Sequence, residues 1–115
     1  MVKIEAIVQP FRLDAIKLAL DELGISEITI YHVFNHGGQM GLKAVYRGSQ
    51  YCVEVPRVKL EMVVSSLRVD EVIEALSSAA RTGVDGDDCT VLLYEIADAI
   101  RMRNGKRVAF TLSWP

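Results

Sequence analysis

The hydrophobic period of this chain changes twice in the same order. Ile4, Ala6 and Val8 alternate with charged Lys3 and Glu5, the pattern of a strand with one buried face. The spacing then lengthens: Leu13, Ile16, Leu20 and Leu23 recur at intervals of three and four, after Pro10 and before Gly24. That stripe predicts an amphipathic helix with Gly24 as its left-handed C-cap. The β-branched run Ile28-Thr29-Ile30-Tyr31-His32-Val33-Phe34 predicts a second strand. The same succession returns downstream. Val58 to Val64 alternates again, and Val69, Val72, Ile73, Leu76 and Ala80 form a second helical stripe. Ser65 or Ser66 is placed to cap that helix and Gly83 to end it, ahead of a last strand, Cys89-Thr90-Val91-Leu92-Leu93-Tyr94.

The recurrence is a duplication. Offset by 56 positions, Val2-Lys3-Ile4-Glu5-Ala6-Ile7-Val8 falls on Val58-Lys59-Leu60-Glu61-Met62-Val63-Val64, and Phe11-Arg12-Leu13-Asp14 on Leu67-Arg68-Val69-Asp70. A unit present only twice must bury its face against its own copy. Two βαβ units with right-handed crossovers give an α+β, ferredoxin-like fold: a four-stranded antiparallel sheet with two helices on one face, and a long loop between strands 2 and 3. The other sheet face is left bare. Strands as apolar as Met62-Val63-Val64 and Val91-Leu92-Leu93 imply that other subunits cover it.

Composition narrows the class. At 115 residues the chain holds one domain, 1–115, and its half-hydrophobic, 24% charged make-up is that of a globular protein. A net charge of −2 offers no basic excess for nucleic acid or an anionic membrane. Charges inside the first apolar stretch exclude a signal peptide or membrane span there, so a cytoplasmic protein without membrane insertion is expected. Cys52 and Cys89 are isolated and are expected as plain thiols.

Three segments fall outside the repeat. Residues 35–56 hold Gly37, Gly38, Gly41 and Gly48 with Tyr46, Arg47 and Tyr51. They read either as an extended hairpin or as a mobile arm offering Tyr46, Arg47 and Tyr51 to a partner. The polar turn 82–88 has glycines that can turn N–H groups toward an anion, but its three aspartates fit a plain acidic turn or a weak cation site equally well. The basic C-terminal segment, 101–115, opens with Arg101, Arg103, Lys106 and Arg107, a solvated tail or a phosphate clamp. His32 and His36 straddle a strand end, where four-residue spacing does not make ligands converge, so no metal site is expected.

In order along the chain, Lys3-Ile4-Glu5-Ala6-Ile7 with Pro10-Phe11, Tyr46-Arg47-Gly48-Ser49-Gln50-Tyr51, Ala80-Arg81-Thr82-Gly83 and Ala99-Ile100-Arg101-Met102-Arg103 resemble the PII nitrogen-regulatory signalling proteins. The resemblance runs from Ile4 to about Gly105. It implies a homotrimer with ATP, ADP or AMP in clefts between subunits and a long loop that docks on a transporter or metabolic enzyme. The positions it marks for nucleotide are Ile7, Thr29, Gly37, Gln39, Val63, Gly86, Asp87, Arg101 and Arg103. Gln39 and Arg57 match positions for 2-oxoglutarate with Mg-ATP; Ser49 and Tyr51 match residues modified in some members. The chain also departs from the pattern: Gly38 replaces an arginine, Asn35 a glycine, Met40 a lysine, Asp88 a glycine and Cys89 a phosphate-binding lysine. With the two phosphate-facing cations gone at Gly38 and Cys89, ADP or AMP is expected over ATP.

No nucleophile lies near a recognisable base and orienting group, so no catalytic residue is assigned. The alternatives to a nucleotide-gated regulator are a nucleotide-independent trimeric interaction protein and a weak ATPase.

Overall fold

The computed structural model describes residues 1–36, 42–46, 49–81 and 89–108, with backbone alone for 42–46 and 49–53. Strand β1 (Val2–Val8) leads through a 3-10 turn at Pro10–Arg12 into helix α1 (Leu13–Glu22), then β2 (Thr29–Asn35). A hairpin of β3 (Leu42–Tyr46) and β4 (Ser49–Val53) follows, then β5 (Val55–Val64), a turn at Ser66–Arg68, α2 (Val69–Ala80) and β6 (Val91–Glu95). The main sheet has the order β2-β5-β1-β6, antiparallel throughout. This is the ferredoxin-like α+β arrangement expected from the duplicated βαβ pattern, with the long connection between its second and third sheet strands.

The predicted alternation decides which face is buried. Ile4, Ala6 and Val8 of β1 join Val58, Leu60, Met62 and Val64 of β5 under the helices, where Ile16, Leu20, Val72, Leu76 and Ala80 meet them. Each fully buried Leu or Ile contributes about 1.5–3 kcal/mol through removal of its side chain from water. Gly24 ends α1 at φ 80°, as its predicted left-handed cap requires. Ser65 caps the 3-10 turn, accepting a hydrogen bond from the Leu67 N–H at 3.3 Å, but neither serine caps α2, whose N-cap is Arg68 without a side-chain hydrogen bond because the turn intervenes. Gly83 lies outside the described residues.

Some boundaries shift. Pairing of β2 with β5 continues to Asn35 opposite Val55, so β5 begins three residues before the alternation that marks Val58 and includes Pro56. That proline sits past the end of β1, which stops at Val8 opposite Val58 and therefore asks for no ladder N–H there. The last strand begins at Val91, not Cys89. Within the 35–56 segment, Leu42–Tyr46 pairs antiparallel with Ser49–Val53, so the backbone follows the hairpin alternative.

Candidate functional site

The sheet face away from the helices carries Lys3, Glu5 and Ile7 on β1, Lys59, Glu61 and Val63 on β5, Thr29 and Tyr31 on β2, and Leu92 and Tyr94 on β6. Its chemistry follows from the duplication. Both copies carry Lys-x-Glu, and the antiparallel register sets Glu5 directly opposite Glu61, a repulsive placement on a sheet. Lysines compensate. Lys3 Nζ lies 4.0 Å from Glu5 and 3.9 Å from Glu61, and Lys59 Nζ lies 3.5 Å from Glu61. Each ammonium also sits over an aromatic ring, Lys3 over Tyr94 at 4.5 Å and Lys59 over Tyr31 at 4.6 Å. The Tyr31 hydroxyl donates to Glu61 Oε2 at 3.3 Å.

At one end of this face lies a cleft of about 510 Å³ lined by Lys3, Glu27, Ile28, Thr29, Glu61, Met62, Val63, Ile96 and Ala99. It combines apolar walls with one hydroxyl, one ammonium and carboxylates, a surface suited to a flat, partly polar ring. Thr29 stands opposite Glu61, and Lys3 opposite Val63.

Of the expected site residues, Thr29 and Val63 meet in this cleft. Ile7 does not. It lies on the same face but pairs with Lys59, four residues from Lys3 along β1, a separation of about 13 Å at strand rise. Beside Ile7 is Cys89. Burial pushes the Cys89 thiol above its usual pKa, against a smaller opposing pull from a hydrogen bond with the Ile7 backbone. The position that the resemblance gives to a lysine is therefore held by a neutral group at physiological pH.

Arg101 and Arg103 sit on a tight turn after β6. The Arg101 carbonyl accepts from the Gly105 N–H at 2.8 Å, with Gly105 at φ 67°, and the Arg101 N–H donates to the Lys106 carbonyl at 2.9 Å. An ion pair between Arg107 and Asp98 braces the base of the turn. The Arg103 side chain is exposed. Arg57 lies on β5, its guanidinium donating to the Pro56 carbonyl at 2.8 Å.

Gly37, Gln39, Arg47, Gly86 and Asp87 lie outside the described residues, as do the side chains of Tyr46, Ser49 and Tyr51. His36 Nδ1 lies 3.7 Å from Glu54 at the neck of the hairpin segment, and no group of potential metal ligands converges among the described residues. Apart from Thr29 and Val63, none of the lining residues was expected from the sequence: Lys3, Glu27, Ile28, Glu61, Met62, Ile96 and Ala99 were missed. For Lys3 and Glu61 the duplicated Lys-x-Glu was the available signal. Among the described residues, no helix is long and apolar enough to cross a membrane.

A family model described as nitrogen regulatory protein P-II matches residues 1–106. Curated relatives carry the same description. One from Rhodospirillum rubrum is 44% identical over 108 residues, covering 93% of this chain and 96% of the relative. One from Haemophilus influenzae is 44% identical over 107 residues, covering 92% and 95%, and one from Azospirillum brasilense is 41% identical over 108, covering 93% and 96%.

Proposed function

The chain belongs to the P-II family of nitrogen regulatory proteins, and from that premise we propose that it is a cytoplasmic, homotrimeric regulator that binds an adenine nucleotide between subunits. The nucleotide state sets the conformation of the 35–56 segment, through which a transporter or metabolic enzyme is controlled. The observation that carries this reading is the cleft in which Thr29 and Val63, both marked for nucleotide by the family resemblance, come together with apolar walls. The base occupies that cleft and the phosphates reach toward Arg101 and Arg103.

The neutral thiol of Cys89 favours ADP or AMP as the effector, because a lost charge-assisted contact removes roughly 1.5–3 kcal/mol from a polyphosphate. Any response to 2-oxoglutarate with Mg-ATP would run through Gln39 and Arg57, the positions the resemblance marks for it. The proposed function calls on no catalytic residue.

Isothermal titration of purified protein with AMP, ADP and Mg-ATP, each with and without 2-oxoglutarate, tests the reading. Micromolar binding of ADP or AMP, weakened at least tenfold in Arg103→Ala, is expected. Absence of heat with all three nucleotides would leave a trimeric interaction protein that works without a small molecule. Unchanged affinity in Arg103→Ala would remove that arginine from the site.

A further inference from the structure

After β6 the chain doubles back on itself through the turn that carries Arg101 and Arg103. The Ile100–Arg107 bridge joins the two limbs, flanked by the hydrogen bond from the Val108 N–H to the Ala99 carbonyl at 2.8 Å and by that from the Arg101 N–H to the Lys106 carbonyl. Side chains opposite one another across antiparallel limbs share a face, and neighbours along each limb alternate. Ile100 and Arg107 therefore lie on one face. Asp98 belongs to that face by alternation, and its ion pair with Arg107 agrees. Arg101 and Lys106 fall on the other face, together with Ala99, which lines the cleft.

The two faces differ in charge. On one, Asp98 neutralises Arg107. On the cleft side Arg101 stands directly opposite Lys106, and like charges so placed repel unless an anion lies between them. Lys106 is exposed and forms no ion pair among the described residues. Its backbone is held in place: the Lys106 N–H donates to Asn104 Oδ1 at 2.9 Å, and Gly105 makes the turn at φ 67°. Arg103, exposed on the turn between the two limbs, brings a third cation to the same end of the hairpin.

We propose that Lys106 is a phosphate-binding residue, its ammonium joining Arg101 and Arg103 around the terminal phosphate of a nucleoside diphosphate whose base occupies the cleft. The proposal rests on the nucleotide reading above and refines it. A lysine acts on phosphate as a compact point charge, and Lys106 restores a cation to a site that holds Cys89 where the resemblance expects one. ADP carries one more phosphoryl group than AMP, and a further cation answers that added charge. Lys106 thus selects ADP over AMP.

Isothermal titration with ADP and with AMP tests this on the unaltered protein, Lys106→Met, Lys106→Arg and Lys17→Met. Lys106 is exposed, so loss of its charge leaves the fold intact, which circular dichroism checks. Lys17, exposed on α1, gives the same change in net charge away from the turn. Lys106→Met is expected to weaken ADP about fivefold and AMP by less than about twofold, the scale of one exposed charge contact. Lys106→Arg should keep the preference for ADP, and Lys17→Met should change neither affinity. Equal weakening of both nucleotides in Lys106→Met, or no weakening, would overturn the role of Lys106 and leave the nucleotide reading standing. The same selective loss in Lys17→Met would trace the effect to net charge and overturn it as well. An unaltered protein that binds neither nucleotide would overturn the nucleotide reading, and this proposal with it.

Discussion

Lys3, the ammonium within reach of both carboxylates, offsets the repulsion of Glu5 facing Glu61, since like charges directly opposite on a sheet destabilise it. Lys3→Met keeps the length and apolar stem of the side chain and removes the charge. It is expected to lower unfolding stability by about 0.5–1 kcal/mol, read from the urea midpoint at constant slope. Cys89 makes a prediction in pH. Its pKa is raised in the fold, chiefly by burial, so the folded state holds the proton more tightly than the unfolded chain. The resulting stability is complete below 9.0, the ordinary thiol value, and is lost as the pH climbs past it toward the raised folded value. The stability difference between the unaltered protein and Cys89→Ser should therefore shrink from pH 8 to pH 10; a constant difference would show that the thiol does not titrate differently on folding. The charges of Lys-x-Glu at 3–5 and 59–61 were legible in the sequence. Their mutual contact was not, because it depends on a register that only the pairing of β1 with β5 supplies.

Two arginines tie the repeats together at the level of whole elements. Arg12 and Arg68 occupy equivalent places in the duplication, each closing the 3-10 turn before its own helix, and each caps the helix of the other repeat. Arg12 Nε donates to the Ala79 carbonyl in the last turn of α2 at 2.9 Å, and the Arg68 guanidinium donates to the Leu23 carbonyl at the end of α1. Carbonyls at a helix C-terminus have no partner within the helix and carry the negative end of its dipole, so a cation serves both needs. Arg12→Met and Arg68→Met should each cost about 1–2 kcal/mol, seen as a fall of several degrees in Tm at fixed protein concentration. The two losses should add within about 0.5 kcal/mol, since the arginines share no partner. Here sequence and fold meet closely. The periodicity that switches from two to 3.6 located all four sheet strands and both helices, and the 56-residue offset marked both arginines. It could not reveal that each arginine reaches across to the other copy, which requires α1 and α2 to pack together. Nor did it choose between arm and hairpin for the 35–56 segment, because glycines spaced through apolar residues serve either.

At the scale of the whole molecule, the open sheet face explains why one chain assembles only part of the expected site. Thr29 and Val63 meet in the cleft while Ile7 lies outside it, two residues along β1 from Glu5, the register partner of the lining residue Glu61. In the proposed trimer this separation would close between subunits, with Ile7 of one chain brought beside the cleft of another. The face has the composition for such contact: Ile7, Leu92, Tyr31 and Tyr94 remain 37–47% exposed around the compensated charges of Lys3, Glu5, Lys59 and Glu61. Apolar and aromatic area next to satisfied charges is what the buried part of a stable interface presents. Light scattering after size exclusion should give three chain masses for the unaltered protein at micromolar concentration. Leu92→Asp adds a carboxylate beside Glu5, its register partner, on a face already holding Glu61. At 47% exposure Leu92 contributes little to the core, so circular dichroism should remain that of the folded chain while the mass falls toward one chain. Nucleotide affinity should fall with it, by tenfold or more, if the cleft is completed by a neighbouring subunit. A dissociated Leu92→Asp that binds nucleotide with full affinity would place the whole site within one chain, and a monomeric unaltered protein would leave the open face to some other partner.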